Sequence, residues 1–209
     1  MNTPADARQY APATERNREP ILEVLKHVLP PSGTVLEVAS GTGEHAVFFA
    51  PRLRPRQWLP SDPNPQLRAS IAAWRTVNPA DNLYPPLDLD VRAPVWSIET
   101  GVSPIVAIVN INMIHISPWS ACLGLMMGAS RLLSPRGILY LYGPFKQGGH
   151  TSPSNVAFDE ALRAKDPDWG LRDLDEVVAA ASRQNLTLLQ TYQMPANNLS
   201  VVFQHTSKL

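Results

Sequence analysis

The sequence predicts one α/β domain spanning residues 1–209, built on a seven-stranded, mostly parallel sheet with an antiparallel last strand and helices on both faces. Three observations lead to that architecture. Short apolar runs alternate with stretches of helical period, the pattern of a parallel sheet covered on both sides. The run Val35–Ala50 reads as a buried strand, a glycine turn and the start of a helix. Finally, the chain closes on two strand-like runs separated only by Met194-Pro-Ala-Asn-Asn198, and strands joined so tightly must be antiparallel.

The elements follow in order. An N-terminal segment, 1–30, carries a helix over about Glu15–Leu29, with Thr14 as the expected N-cap, and Pro30-Pro31-Ser-Gly ends it. Strand 35–39, helix 43–53, strand 57–61 and helix 65–77 come next, then a strand near 84–91. Ile105-Val-Ala-Ile-Val-Asn-Ile111 is the most apolar strand, and helix 119–133 leads into Gly137–Tyr142. Residues 144–171 are rich in Gly, Pro, Ser and Asn, with a short helix near Val156–Ala164; so long an irregular stretch in a compact domain reads as a lid over a site. Helix 173–185 and the strands 186–193 and 199–205 complete the chain.

Composition narrows the partner. Lys+Arg and Asp+Glu are equal at 18 each, so no net field draws nucleic acid or an acidic membrane face, and a small molecule is the expected partner. No apolar run approaches the ~20 residues that span a bilayer, and the N-terminus lacks a signal-peptide core. The single Cys122 precludes an internal disulfide and suits a reducing compartment, so a cytoplasmic protein is expected. The C-terminal Ser207-Lys208-Leu209 matches a peroxisomal import tripeptide, which has meaning only in a eukaryote. The 21 prolines punctuate loops in a chain otherwise well supplied with Leu, Ile and Val.

The glycine turn alone fits two cofactor classes. Gly41-x-Gly43-x-x-Ala46 satisfies the looser dinucleotide fingerprint, and Asp62 stands 19 residues beyond Gly43, where an acid would take ribose hydroxyls. Glu37 weighs the other way. A carboxylate four residues before Gly41 suits a cationic or hydroxylated small molecule better than a pyrophosphate, which wants backbone N–H groups and no nearby negative charge.

Longer strings add a resemblance. Pro12-Ala-Thr-Glu-Arg-Asn17, Leu36-Glu-Val-Ala-Ser-Gly-Thr-Gly43, Pro60-Ser-Asp-Pro63, Asn110-Ile-Asn-Met-Ile-His-Ile-Ser-Pro-Trp119, Tyr142-Gly-Pro-Phe-Lys146, His150-Thr-Ser-Pro-Ser-Asn155, Asp168-Trp-Gly-Leu-Arg-Asp173 and Met194–Asn198 together resemble the methyltransferase-like 26 family. That family was long catalogued as a domain of unknown function and is related to class I methyltransferases. The resemblance implies a Rossmann-like class I methyltransferase fold with S-adenosyl-L-methionine as cofactor, and methyl transfer to a small-molecule acceptor.

Residue by residue, the resemblance implies that Glu37 meets the methionine amine, while Gly41 and Gly43 admit the ligand against bare backbone beside Ser40 and His45. Asp62 would chelate the ribose hydroxyls, although an Asp before proline also starts an Asx turn. Asp90 would meet the adenine amino group, with Val91 flanking the ring and Asp88 as the competing acid. In an open α/β sheet the ligand crevice lies at the carboxyl ends of the strands, so Asn112, Met113, His115 and Trp119 emerge where donor and acceptor meet. His115 is the candidate general base, its alternative being a structural histidine bonded to a loop. Tyr142 and Lys146 join it as catalytic candidates, and Phe145, His150, Asn155, Asn197 and Asn198 join Trp119 as candidate acceptor contacts. Arg16 and Asn17 are expected to fold across the cofactor, or else to decorate an exposed helical turn. No metal-ligand spacing stands out, and a serine hydrolase is disfavoured because Gly-x-Ser-x-Gly is missing. Two rivals remain, a nicotinamide-dependent oxidoreductase and a non-catalytic ligand-binding member of the same fold.

Overall fold

The structure, a computed structural model, describes residues 6–100 and 104–206. The terminal Ser-Lys-Leu tripeptide lies outside those residues. Eight strands occur in chain order: β1 (Thr34–Val38), β2 (Gln57–Ser61), β3 (Ile105–Ile111), β4 (Leu133–Gly143), β5 (Phe145–Lys146), β6 (Arg172–Asp173), β7 (Leu186–Met194) and β8 (Asn198–His205). Six of them form the main sheet, in the order β2-β1-β3-β4-β8-β7, and β5 with β6 makes a separate two-stranded ribbon. The helices are α1 (Pro12–Val28), α2 (Glu44–Arg52), α3 (Pro65–Val77), α4 (Trp119–Leu132), α5 (Pro153–Lys165) and α6 (Leu174–Ser182). Among the described residues no helix is long and apolar enough to cross a membrane.

Strands β1 to β4 pair in parallel, while β8 runs antiparallel to both β4 and β7. Register sorts the apolar residues into two layers. Leu59, Leu36, Ile108, Leu139 and Phe203 lie side by side across the sheet and belong to the core beneath α4 and α6. One residue earlier on each parallel strand, Trp58, Val35, Ala107 and Ile138 face the opposite core, filled by Ile21 and Leu25 of α1 and Phe49 of α2. Burying each such Leu, Ile or Phe contributes about 1.5–3 kcal/mol, so a one-residue slip would forfeit both layers.

Two expectations are corrected. Residues 84–91 do not form a strand, which leaves the main sheet with six. Leu83 and Leu87 make single bridges to Trp58 and Ser61 of β2, but Pro85-Pro86 between them have no N–H to donate, so the ladder cannot propagate. Thr14 does not cap α1. The cap is Ala11 with Pro12 at the first helical position, and the Ala11 N–H is taken by Glu44 Oε2 at 2.6 Å. Elsewhere α3 runs over the expected residues, capped by Asn64 Oδ1 accepting from the Gln66 N–H.

Candidate functional site

The chain leaves β1 towards β2 on one side and reaches β3 on the other, so the sheet's switch point lies between β1 and β3, at their carboxyl ends. The turn there is built by Gly43, which caps α2 at φ +93. A Cβ on it would stand 2.8 Å from the Ile71 Cα of α3, so only glycine lets α2 and α3 meet at this edge. Ser40 ties β1 to β2, its Oγ accepting from the Ser61 N–H, and Gly41 donates its N–H to Asp62 Oδ2 at 3.0 Å. The other oxygen, Asp62 Oδ1, accepts from the Asn64 N–H at 2.9 Å; this is the Asx turn, and it aims the carboxylate along the crevice. Burial raises the Asp62 carboxyl above its ordinary value.

Two cavities open along this edge and share Ile116. The first, a slot of about 390 Å³, is lined by Gly41 and Asp62, by Leu89, Asp90 and Val91, and by Met113. Pro63, Leu67, Arg92, Ile111, Pro118, Ala121 and Trp169 complete most of its remaining wall. Asp90 pairs with Arg92 at 2.7 Å, which holds its carboxyl below the ordinary range. The competing Asp88 pairs instead with Arg68 and does not line the slot. Segment 90–96 packs closely on α4 because that helix carries glycines where the two meet. A Cβ on Gly124 would meet the Val91 carbonyl oxygen at 2.3 Å, and one on Gly128 would enter the Trp96 ring.

The second cavity is a chamber of about 640 Å³ and is lined by Arg16, Asn17, Asn112, Tyr142, Asn155 and Asn198 among others. Its apolar wall comes from Ala13, Ile116, Pro144, Phe158 and Pro195. Arg16 and Asn17 thus face the chamber and not the slot. Asn112, in the left-handed region at φ +64, turns the chain off β3 between the two cavities. His45 donates Nε2–H to Asn17 Oδ1 at 2.8 Å and stacks on Phe49; burial pushes it down to about 3, so it is neutral. Beside Asn17, the Tyr142 hydroxyl is pushed up by burial and stays protonated.

Several expected site residues lie outside both cavities. Glu37 is buried beneath the sheet edge, where Oε2 accepts from Trp58 Nε1–H at 2.9 Å, and burial lifts it to about 7. His115 is 1% exposed, packs edge-on against Phe145 at 5.1 Å, and neither ring nitrogen finds a partner among the described residues. Burial and the Arg172 charge push it down to about 3, so the general-base role expected for it lacks both access and basicity. Lys146 is engaged by Asp159 at 2.7 Å. Trp119 opens α4 with the Arg172 guanidinium over its ring, and His150, Asn197 and Phe145 border a separate cleft of about 130 Å³.

The lining of Leu89, Ile116 and Phe158 had no signature in the sequence beyond apolar character. Asp159 had a faint one, its spacing of four from Arg163. It is the hub of the 144–171 segment, accepting from Lys146 Nζ, Arg163 Nε and the Leu171 N–H at 2.7, 3.2 and 2.7 Å. That segment brings Phe158 to the chamber and Trp169 to the slot.

Comparisons with known proteins agree with this architecture. Residues 8–205 match a family described as "Protein of unknown function (DUF938)". Among solved structures, the chain is similar to an O-methyltransferase family protein from Burkholderia thailandensis (TM-score 0.76, 13% identity, 94% of this chain and 58% of that one). It is similar to the mitomycin 7-O-methyltransferase MmcR (0.77, 12%, 93% and 54%) and to human N-acetylserotonin methyltransferase in complex with SAM (0.75, 11%, 93% and 53%). The fold is therefore the Rossmann-like methyltransferase fold. The chain spans a little over half the length of these structures.

Proposed function

The chain belongs to the DUF938 family, and on that footing we propose that it is an S-adenosylmethionine-dependent methyltransferase of small molecules, akin to the methyltransferase-like 26 proteins its motifs resemble. One observation carries the reading: an apolar slot edged by two carboxylates at the switch point of the sheet adjoins a larger, part-apolar chamber across Ile116. The donor set suits the cofactor. Asp62 offers carboxylate oxygens for ribose hydroxyls, Asp90 an acceptor for an exocyclic amine, and Leu89, Val91 and Met113 apolar faces for a flat base. Glu37, fully buried and lifted to about 7, carries negative charge beneath the glycine turn above that pH, where it favours a cationic ligand at a distance.

When bound, the cofactor supplies a sulfonium-activated methyl group. The chain's own work is to bind, orient and desolvate. Ile116 stands where slot and chamber join and holds donor and acceptor sides adjacent, the proximity that dominates such transfers. Tyr142, kept protonated by burial, is a hydrogen-bond donor that orients an acceptor atom and not a base that deprotonates it. Lys146 is unsuited to the same task while it neutralises Asp159.

Titration calorimetry tests the reading. The protein is expected to bind S-adenosylhomocysteine and to ignore a reduced nicotinamide dinucleotide, with Asp62→Ala weakening the first at least tenfold, or about 1.4 kcal/mol. Binding of the dinucleotide with no response to S-adenosylhomocysteine would assign the slot to the oxidoreductase class instead.

A further inference from the structure

We propose that the methyl acceptor carries an anionic group, and that Arg16 is the residue which receives it in the 640 Å³ chamber. The inference rests on the reading of that chamber as the acceptor's. Arg16 lines it, no Asp or Glu does, and Arg16 forms no ion pair among the described residues. By contrast Arg8, Arg54, Arg68, Arg92, Arg131 and Arg163 each hold a carboxylate of the chain. An uncompensated guanidinium over a part-apolar cavity is a receptor for carboxylate, sulfonate or phosphate, because it meets their paired oxygens with two parallel N–H bonds.

The neighbouring polar groups are sorted in the same sense. Beside Arg16, Asn17 has its Oδ1 occupied by His45 and turns its amide N–H₂ to the Tyr142 oxygen, so the donor this pair has left is the protonated Tyr142 hydroxyl. This side of the chamber is rich in donors. Elsewhere in the lining, Asn155 spends its N–H₂ on Thr151 Oγ1 and the Asn197 carbonyl, and Asn198 spends its own on the Pro195 and Ala196 carbonyls. What these two retain is their carbonyl oxygens, which accept. Ile116 and Phe158 add apolar lining, each 44% exposed. The chamber therefore suits a ligand with an anionic group, an apolar body, and a hydroxyl or N–H.

The test uses paired probes, 4-hydroxybenzoate and its neutral amide 4-hydroxybenzamide, titrated into the full chain with and without saturating S-adenosylhomocysteine. Expected is binding of the acid at least tenfold tighter than the amide, lost on Arg16→Gln and partly kept in Arg16→Lys, while S-adenosylhomocysteine affinity stays within twofold in both variants. Because Arg16 is exposed on α1, neither variant disturbs a core. Equal binding of acid and amide, or binding of neither, overturns the proposal. So does a loss of S-adenosylhomocysteine affinity in Arg16→Gln, which would give the guanidinium to the carboxylate of the cofactor's methionine. If the wild-type chain binds the acid through Arg16 but not S-adenosylhomocysteine, the cofactor reading fails and the anion site stands.

Discussion

At Glu37 a carboxyl lies wholly out of water against the Trp58 indole, and burial lifts it from 4.5 to about 7. Between those values the folded chain keeps a proton that the unfolded chain has released. Stability from this group is therefore full below about pH 4.5 and falls as pH rises towards 7, by on the order of 3 kcal/mol. Glu37→Gln retains an acceptor for the indole N–H and abolishes the titration. It should be neutral at pH 4.5 and more stable than the wild type at pH 8; urea unfolding across that range checks it, and parallel curves for the two proteins would remove Glu37 from the account. If the cofactor reading holds, the same variant binds S-adenosylhomocysteine more weakly, since it trades a charge aimed at a cation for stability. The importance of Glu37 was visible in its spacing from Gly41. Its partner was not, because Trp58 comes from another strand and only the register of β1 on β2 brings indole to carboxyl.

Among the elements, the β1–α2 turn depends most tightly on one residue. Gly43→Ala meets two costs, a side chain at φ +93 and a Cβ 2.8 Å from the Ile71 backbone. A left-handed residue alone costs about 1–2 kcal/mol, so a loss of about 2 kcal/mol or more is expected in equilibrium unfolding, together with weaker ligand binding in the slot. A loss under about 0.5 kcal/mol would mean that α3 yields easily at Ile71. The elements easiest to read were those with local signals: α3, with Asn64 as cap and Pro65 at its first position, and the closing pair β7–β8 with its short turn. The run near 84–91 failed for an equally local reason. Alternating apolar residues suggested a strand, and Pro85-Pro86 withheld the N–H groups that a strand needs.

Across the whole molecule, the 144–171 segment is held in shape by Asp159, whose side chain is only 11% exposed and whose partners all lie within the segment. Asp159→Ala would leave Lys146 and Arg163 without their shared anion and the buried Leu171 N–H without an acceptor. The expected cost is about 2–3 kcal/mol. Hydrogen exchange should show it as lost protection at Leu171 and through α5, with β3 and β4 unchanged; uniform loss over the sheet would contradict a lid held independently of the core. Phe158 and Trp169 ride on this segment, so both cavities should loosen together.

Local pattern was enough for the α/β alternation, the glycine turn and the antiparallel close, because each is written within a few neighbouring residues whose geometry follows from φ preferences and period. The division of the crevice into slot and chamber was not written there. Arg16 and Tyr142 are 126 positions apart, and their meeting depends on α1 crossing the sheet face that carries β4. His115 shows the same limit. Its place just after a strand suggested an exposed base, and the close approach of Gly143, where a Cβ would lie 2.4 Å from the ring, buries it instead. Contacts between distant segments are set by how whole faces pack, and burial, which sets both basicity and access, belongs to that packing and not to any stretch of chain alone.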